Sequence, residues 1–171
     1  QLNDIKDNNL FSINNQNILR FKSNANFENP LDANKDNIYE LVLHLVDESN
    51  NSFFNEYNLS ITVTNIDEAP YFITGINYKE LREDNLGKSY VIQIDDPEKR
   101  NLSLSLESNN TSLVGITKQW NGILTSQQYS SYLYFILTPK PDQFGSTVIY
   151  ATLSDDNGQI TYDNFDLTIT P

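Results

Sequence analysis

The most regular pattern along this chain is an alternation of residues with a period of two. It is clearest from Tyr39 to Val46 and returns from Tyr57 to Val63. Side chains on a β-strand point alternately to its two faces, so this period predicts two strands with one face toward a core. The residues predicted to face that core are Tyr39, Leu41, Leu43, Leu45, Tyr57, Leu59, Ile61 and Val63.

Shorter apolar runs precede these strands. Leu10 to Ile13 and Ile18 to Phe21 flank the polar stretch Asn14–Asn17, which predicts a hairpin over residues 10–22. A polar, acidic loop over residues 23–37 follows. The first part of the chain is therefore expected to contain four strands within about 70 residues.

The rest of the chain has a similar pattern of short strands separated by turn residues. Strands are predicted near residues 72–81, 89–95, 101–107, 113–119, 132–138, 147–154 and 160–170. Asn121-Gly122 predicts one tight turn, and Asp156-Asn157-Gly158 predicts a hairpin between the last two strands. No stretch has convincing helical periodicity. This spacing is typical of a β-sandwich.

An acidic, proline-containing stretch joins the two parts. Pro70 removes a backbone donor and favours extended geometry before it, so a central strand cannot continue through this stretch. Asp67 and Glu68 repel each other unless a positive group lies between them. No Lys or Arg occurs within ten residues upstream, and Lys79 is the first one downstream. A divalent ion is therefore expected at this connector.

The composition narrows the classes of partner. The formal net charge of −12 argues against nucleic acid and anionic membranes, and favours divalent cations or basic surfaces. The absence of cysteine excludes disulfides and thiolate metal sites. No segment resembles a signal peptide or a membrane span. Because the chain starts at Gln1 and has no methionine, we expect it to be part of a longer polypeptide.

Several motifs carry a family resemblance. Residues 65–72, Asn-Ile-Asp-Glu-Ala-Pro-Tyr-Phe, resemble the linker of cadherin-like repeats in large bacterial surface proteins, and residues 26–39 resemble the acidic loop of those repeats. Further motifs recur in order in a related tandem Ig-like repeat: Glu83-Asp84-Asn85, Asp96-Pro97-Glu98, Pro141-Asp142-Gln143-Phe144-Gly145 and Ser154-Asp155-Asp156-Asn157-Gly158. The resemblance implies an all-β chain of two consecutive sandwich units, residues 1–68 and 69–171. Such repeats normally have seven strands, so the first unit is expected to lack its N-terminal ones.

The same resemblance implies calcium sites, since calcium takes six to eight oxygen ligands. Its implied side-chain ligands between the units are Glu28, Asp67, Asp96, Glu98 and Asp155, and its implied backbone ligands are Asn65 and Glu68. Two positions depart from the pattern: Ile66 stands where the animal cadherin linker has a ligating asparagine, and Asn26 replaces an aspartate. One or two ions are therefore expected at this joint.

Two more acidic groups are candidates for calcium. Asp32, Asn34 and Asp36 match the start of an EF-hand loop, but Asn37 and Leu43 occupy the positions that need Gly and Glu, which excludes an EF-hand. A local calcium loop and an Asx-rich turn both remain open. The resemblance also implies that Glu83 and Asp142 lie at the far end of the second unit, where a following domain would complete a site.

The expected function is structural. The resemblance implies a non-enzymatic, calcium-stiffened extender or adhesion module at the cell surface, with adjacent repeats as partners and a surface protein or glycan as a possible further one. The alternative is a carbohydrate-binding module in which Trp120 stacks on sugar, helped by Tyr129, Tyr132 and Tyr134. Catalysis is not expected, because the only histidine, His44, is predicted on the outward face of a strand and no G-x-S-x-G motif occurs.

Overall fold

The chain forms two compact units, Gln1–Ile66 and Asp67–Pro171. The computed structural model describes residues 6–47, 49, 52–75, 77–120, 123–124 and 133–171. The division between the units falls two residues before the one expected from the sequence. In the described part, no helix is both long enough and apolar enough to cross a membrane.

The described residues of the first unit form a short 3-10 turn and four strands. Their bounds are Asn8–Leu10 for the turn, Phe11–Ile13 for β1, Leu19–Phe21 for β2, Ile38–Asp47 for β3 and Ser52–Thr62 for β4. β1 pairs with β2 and β3 pairs with β4, both antiparallel. The predicted hairpin over residues 10–22 is therefore confirmed.

A small aromatic core holds this unit together. Phe11, Tyr39 and Leu41 are almost fully buried, and the ring centroids of Phe11 and Phe21 are 4.2 Å apart. The expectation that the whole alternating face is buried was wrong, because Leu45 on β3 is 49% exposed and Tyr57 on the paired strand β4 is also exposed. Since β1 and β2 are only three residues long, their side chains cover just the Tyr39 end of the longer ladder. Tyr57, opposite Leu43, lies beyond that end and is 54% exposed, and Leu59, opposite Leu41, is 37% exposed at its margin.

Residues 7 and 8 attach to the edge of β3 that faces away from β4. The amide N–H of Asp7 donates to the carbonyl of Glu40 at 3.0 Å, and the Asp7 carboxylate accepts the Glu40 N–H at 2.8 Å. The buried Asn8 side chain both accepts the N–H of Val42 and donates to its carbonyl, each at 2.8 Å. These two residues thus satisfy four backbone groups that a neighbouring strand would otherwise pair.

The second unit is a β-sandwich. Its strands are Tyr71–Phe72 (β5), Lys79–Arg82 (β6), Lys88–Ile92 (β7), Ile94–Asp95 (β8), Leu102–Ser108 (β9), Val114–Lys118 (β10), Ile123–Leu124 (β11), Leu133–Pro139 (β12), Gly145–Asp155 (β13) and Ile160–Thr170 (β14). One sheet has the order β10-β12-β7 and the other β11-β9-β13-β14-β6. Both contribute to one buried core, in which Phe135, Leu153 and Leu167 are fully buried. The predicted turn at residues 121–122 lies outside the described residues.

One predicted strand proved to be two. The segment predicted as a strand over residues 72–81 contains β5, which pairs with β8, and β6, which runs parallel to β14 in the five-stranded sheet. The chain leaves one pairing for the other between Ile73 and Tyr78, two residues that are 45% and 56% exposed. The predicted strand 89–95 is likewise interrupted at Gln93, which separates β7 from β8.

The hairpin between the last two strands is confirmed. β13 and β14 pair from Gly145 with Ile169 to Ser154 with Ile160, and the N–H of Asp155 donates to the carbonyl of Gln159 across the turn. This hairpin places Asp155 at one end of the sandwich.

Candidate functional site

Two buried aspartates at this end of the second unit begin turns of the same kind. Asp96 is fully buried, and its Oδ1 accepts the N–H of Arg100, four residues later, at 3.0 Å. Asp155 is 8% exposed, and its Oδ1 accepts the N–H of Gln159, also four residues later, at 2.8 Å. In both residues the other carboxylate oxygen, Oδ2, is buried and has no hydrogen-bond partner within the described part of the chain.

The local sequence explains these turns. Aspartate at the start of a turn accepts backbone N–H groups ahead of it, which replaces the hydrogen bonds of regular structure. The fourth residue of each turn has a positive φ: 57° at Lys99 and 94° at Gly158. Each turn therefore fixes its aspartate through Oδ1 and leaves Oδ2 free to take another partner.

Glu98 and Asp155 are the two carboxylates whose charges act on Asp96. Burial raises the pKa of Asp96 above its ordinary value, and the negative charges of Glu98 and Asp155 raise it further. Glu98 accepts the N–H of Glu68 through Oε1 at 3.4 Å, while its Oε2 has no hydrogen-bond partner among the described residues. We call these three carboxylates the triad.

The unpartnered oxygens of the triad are of the chemical type that a divalent cation binds. Buried, unpartnered carboxylate oxygens are costly because each loses its hydration without a replacement. Calcium binds such oxygens directly and carries the positive charge that offsets their repulsion. Asp96 and Asp155 would each supply Oδ2, and Glu98 would supply Oε2.

Asp67 has a different environment. Its Oδ1 lies 2.6 Å from Nε of Arg100, and its Oδ2 accepts a hydrogen bond from the side-chain amide of Asn157. The hydrogen bond from Asn157, together with the hydrogen bond and charge of Arg100, lowers the pKa of Asp67. The backbone carbonyl of Asp67 also accepts a 3.3 Å hydrogen bond from Gln159.

Arg100 is the functional residue that the sequence argument missed. That argument searched for a positive group near Asp67 along the chain and found none. The structure brings Arg100 to Asp67 from 33 positions away. The only signal in the sequence is that Arg100 follows Glu98 by two residues, which places it in the same turn as two candidate ligands.

Two candidate ligands belong to the first unit. Glu28 lies in the loop between β2 and β3, where its N–H donates to the side chain of Asn26 at 2.8 Å. Asn65 lies after β4, two residues before the second unit begins. Their participation with the triad stays a prediction from the sequence.

The acidic loop of the first unit contains a turn held by aspartate and asparagine side chains. Asp32 is 2% exposed, its Oδ2 accepts the N–H of Asp36 at 2.8 Å, and its Oδ1 is buried without a hydrogen-bond partner. Asn34 donates to the carboxylate of Asp36 at 2.8 Å. Lys35, with φ of 59°, occupies the same place in this turn as Lys99 does in the Asp96 turn. Calcium binding here stays a prediction.

Glu83 and Asp142 lie at the opposite end of the second unit. The N–H of Glu83 donates to the carbonyl of Thr170 at 2.8 Å, and Asp142 follows β12 with a φ of 56°. A cavity of about 580 Å³ there is lined by Glu83 and Lys140, among others. A site shared with a following domain stays a prediction.

Trp120 packs against the core of the second unit, and the Lys118 ammonium lies 5.9 Å from its ring centroid. Of the tyrosines proposed to help it, Tyr134 is 47% exposed. Tyr129 and Tyr132 lie outside the described residues. The role of Trp120 in sugar binding stays a prediction.

His44 was expected to be exposed, and this was wrong. Its side chain is only 15% exposed, and Nε2 lies 3.4 Å from the carboxylate of Glu56 on the paired strand.

Comparisons with known proteins concern the fold. No protein-family model matches this sequence, and no curated protein does. Among solved structures, Drosophila N-cadherin EC1-4 is similar with a TM-score of 0.50 and 12% identity, over 99% of this chain and 41% of that one. Human mucin-like protocadherin EC1-2 has a TM-score of 0.45 and 13% identity, over 99% and 82%. The chain therefore has an all-β, cadherin-like sandwich fold.

Proposed function

We propose that this chain is a non-enzymatic extender or adhesion module of an extracellular repeat protein, and that calcium binds at the linker end of its second unit. The triad of Asp96, Glu98 and Asp155 supplies the central ligands. The acidic linker, which begins this unit with Asp67 and Glu68, supplies further oxygens. Glu28 and Asn65 are further ligands that the sequence alone predicts.

The environment of Asp96 carries this proposal. Its carboxylate is fully buried, has one unpartnered oxygen and interacts with two other carboxylates. A group in this position lowers stability when it ionises, unless a positive charge compensates it. Calcium supplies that charge and accepts the unpartnered oxygens as ligands.

The ion would act by electrostatics. Without it, ionised carboxylates at this end of the unit repel one another. With it, the same groups are attracted to one centre, and the linker residues that join the coordination lose freedom of motion. The surface location and the neighbouring repeats as partners follow from the linker motif, and the cadherin-like fold supports both.

Calorimetric titration of the protein with calcium tests this function. We expect one or two ions to bind, and Asp155→Ala to weaken binding by at least about tenfold, since it removes one charged oxygen ligand. Glu107→Gln, which removes a carboxylate from the exposed face of β9, should leave binding unchanged. The proposal is wrong if wild-type protein binds no calcium, or if the two variants weaken binding equally.

A second candidate function is carbohydrate binding, and a cleft in the second unit favours it. The cleft has a volume of about 350 Å³ and is lined by Lys79, Tyr90 and Tyr134, among others. The ammonium groups of Lys79 and Lys88 lie 5.3 and 5.7 Å from the centroid of the Tyr90 ring. Within the described chain neither lysine forms an ion pair. A carboxylated sugar would pair with the lysines and stack on Tyr134.

Titration with an oligogalacturonide in the presence of a chelator tests this second function. We expect measurable binding that Tyr134→Ala weakens by about fivefold or more, the loss of one stacking platform. Tyr150→Ala is the matched control, because Tyr150 is 48% exposed on another strand of the same unit. Equal binding of a neutral galacto-oligosaccharide would show that the lysines play no part. Absence of binding to both sugars would contradict the function.

A further inference from the structure

We propose that Arg100 is a built-in cation that competes with calcium for Asp67. This inference rests on the proposed function and adds a mode of regulation to the same site. In the ion-free protein the Arg100 guanidinium holds Asp67, and calcium must release that pair before Asp67 can join the triad.

The hydrogen bonds show that Asp67 is already engaged. One of its carboxylate oxygens pairs with Arg100 and the other with Asn157. By contrast, Asp96 and Asp155 each retain an oxygen to which no described residue donates a hydrogen bond. The end of the unit thus contains two sets of carboxylates. The triad retains unpartnered oxygens, whereas Asp67 is already paired with the Arg100 guanidinium.

Arg100 connects the two sets through different atoms. Its backbone N–H fixes the buried Asp96, while its side chain holds Asp67. A substitution of the side chain therefore keeps the hydrogen bond that shapes the triad. It removes only the guanidinium, which makes the competition testable.

The positive charge of Arg100 lowers the affinity of the site for calcium. A guanidinium stays protonated at every physiological pH, so it repels a divalent ion bound nearby. Arg100 also lies 3.9 Å from the carboxylate of Asp156, and its side chain is 32% exposed. The guanidinium can therefore turn toward Asp156 and solvent when calcium takes Asp67. The expected result is a site that fills only at a higher calcium concentration than its carboxylates alone would require.

Arg100→Gln separates competition from a merely structural role. We expect the variant to bind calcium about tenfold more tightly than wild type, because a like charge near the ion has gone. We also expect its ion-free melting temperature to fall, because Asp67 has lost its partner. A purely structural Arg100 would lower both the calcium affinity and the melting temperature.

The control is Arg82→Gln, which makes the same chemical change on an exposed position of β6. It corrects for the change in net charge, and its affinity should equal that of wild type. If wild type binds calcium and Arg100→Gln binds it equally or more weakly, the proposed competition is wrong, but the proposed function stands. If none of the three proteins binds calcium, the proposed function fails and the competition fails with it.

Discussion

Replacing Asp96 with asparagine is expected to raise the melting temperature of the ion-free protein and to remove its response to calcium. Most substitutions of fully buried residues lower stability, so an increase would be specific to this environment. The variant exchanges a buried charge for a neutral side chain of the same shape. In wild type, saturating calcium should instead raise the melting temperature.

The increase follows from the neighbours of Asp96. Asparagine can keep the Oδ1 hydrogen bond from the Arg100 N–H, and it removes the charge on which the carboxylates of Glu98 and Asp155 act. Relief of one buried, unpartnered charge is worth about 1–2 kcal/mol. For a unit of about 100 residues, this corresponds to a shift of several degrees.

The effect should depend on pH in a defined direction. The pKa of Asp96 is raised in the folded protein, so the folded state binds its proton more tightly than the unfolded state does. The stability that this proton contributes is fully present below the ordinary pKa of 3.8 and is lost as the pH rises through the raised value. In chelator, the advantage of Asp96→Asn over wild type should therefore be small near pH 3 and grow toward pH 7.

Fluorescence of Trp120 provides the measurement, because the only tryptophan of the chain belongs to the second unit. Asp166→Asn, on the exposed side of β14, is the control and should shift the melting temperature little at any pH. An Asp96→Asn variant that is less stable than wild type at pH 7 in chelator would contradict the argument. So would a variant that keeps the full response to calcium.

Asn8→Leu is expected to destabilise the first unit by a large fraction of its free energy of unfolding. The substitution leaves the N–H and the carbonyl of Val42 without partners at a position where Asn8 is only 1% exposed. Two unpaired buried groups cost about 2–4 kcal/mol together. A unit of this size is stable by only about 3–10 kcal/mol, and its core contains three fully buried apolar side chains in one cluster.

Hydrogen exchange of the β3 amides measures this effect in the intact chain. Protection from Tyr39 to Val42 should fall by at least tenfold, while amides of β13 in the second unit keep theirs. Asn9→Leu is the neighbouring control, because Asn9 is exposed and its side chain makes none of these hydrogen bonds. Unchanged protection in Asn8→Leu would show that residues 7 and 8 do not hold the edge of β3.

Periodicity predicted the strands well where one face is buried along most of its length, as in β13. It failed over residues 72–81, because alternation records which side of a strand is buried and not which sheet the strand joins. It also overestimated burial at Tyr57, since a regular pattern continues along a strand even where no second layer covers it.

The candidate site was predictable in part. The family resemblance pointed to Asp96 and Asp155, and both lie at the start of turns, where aspartate is favoured for a local structural reason. The sequence could not show that each keeps one unpartnered oxygen, since that depends on burial by distant strands. It also could not show the pair of Asp67 and Arg100, because nothing local links two residues so far apart along the chain.

The parallel pairing of β6 with β14 has a mechanical consequence. β6 lies near the start of the second unit and β14 near its end, and their ladder runs from Lys79 opposite Leu167 to Arg82 opposite Thr170. Tension applied to the two ends of the unit draws these strands in opposite directions along their own axes. The hydrogen bonds between the two strands are then loaded together in shear and do not break one after another. This geometry suits a domain that bears tension.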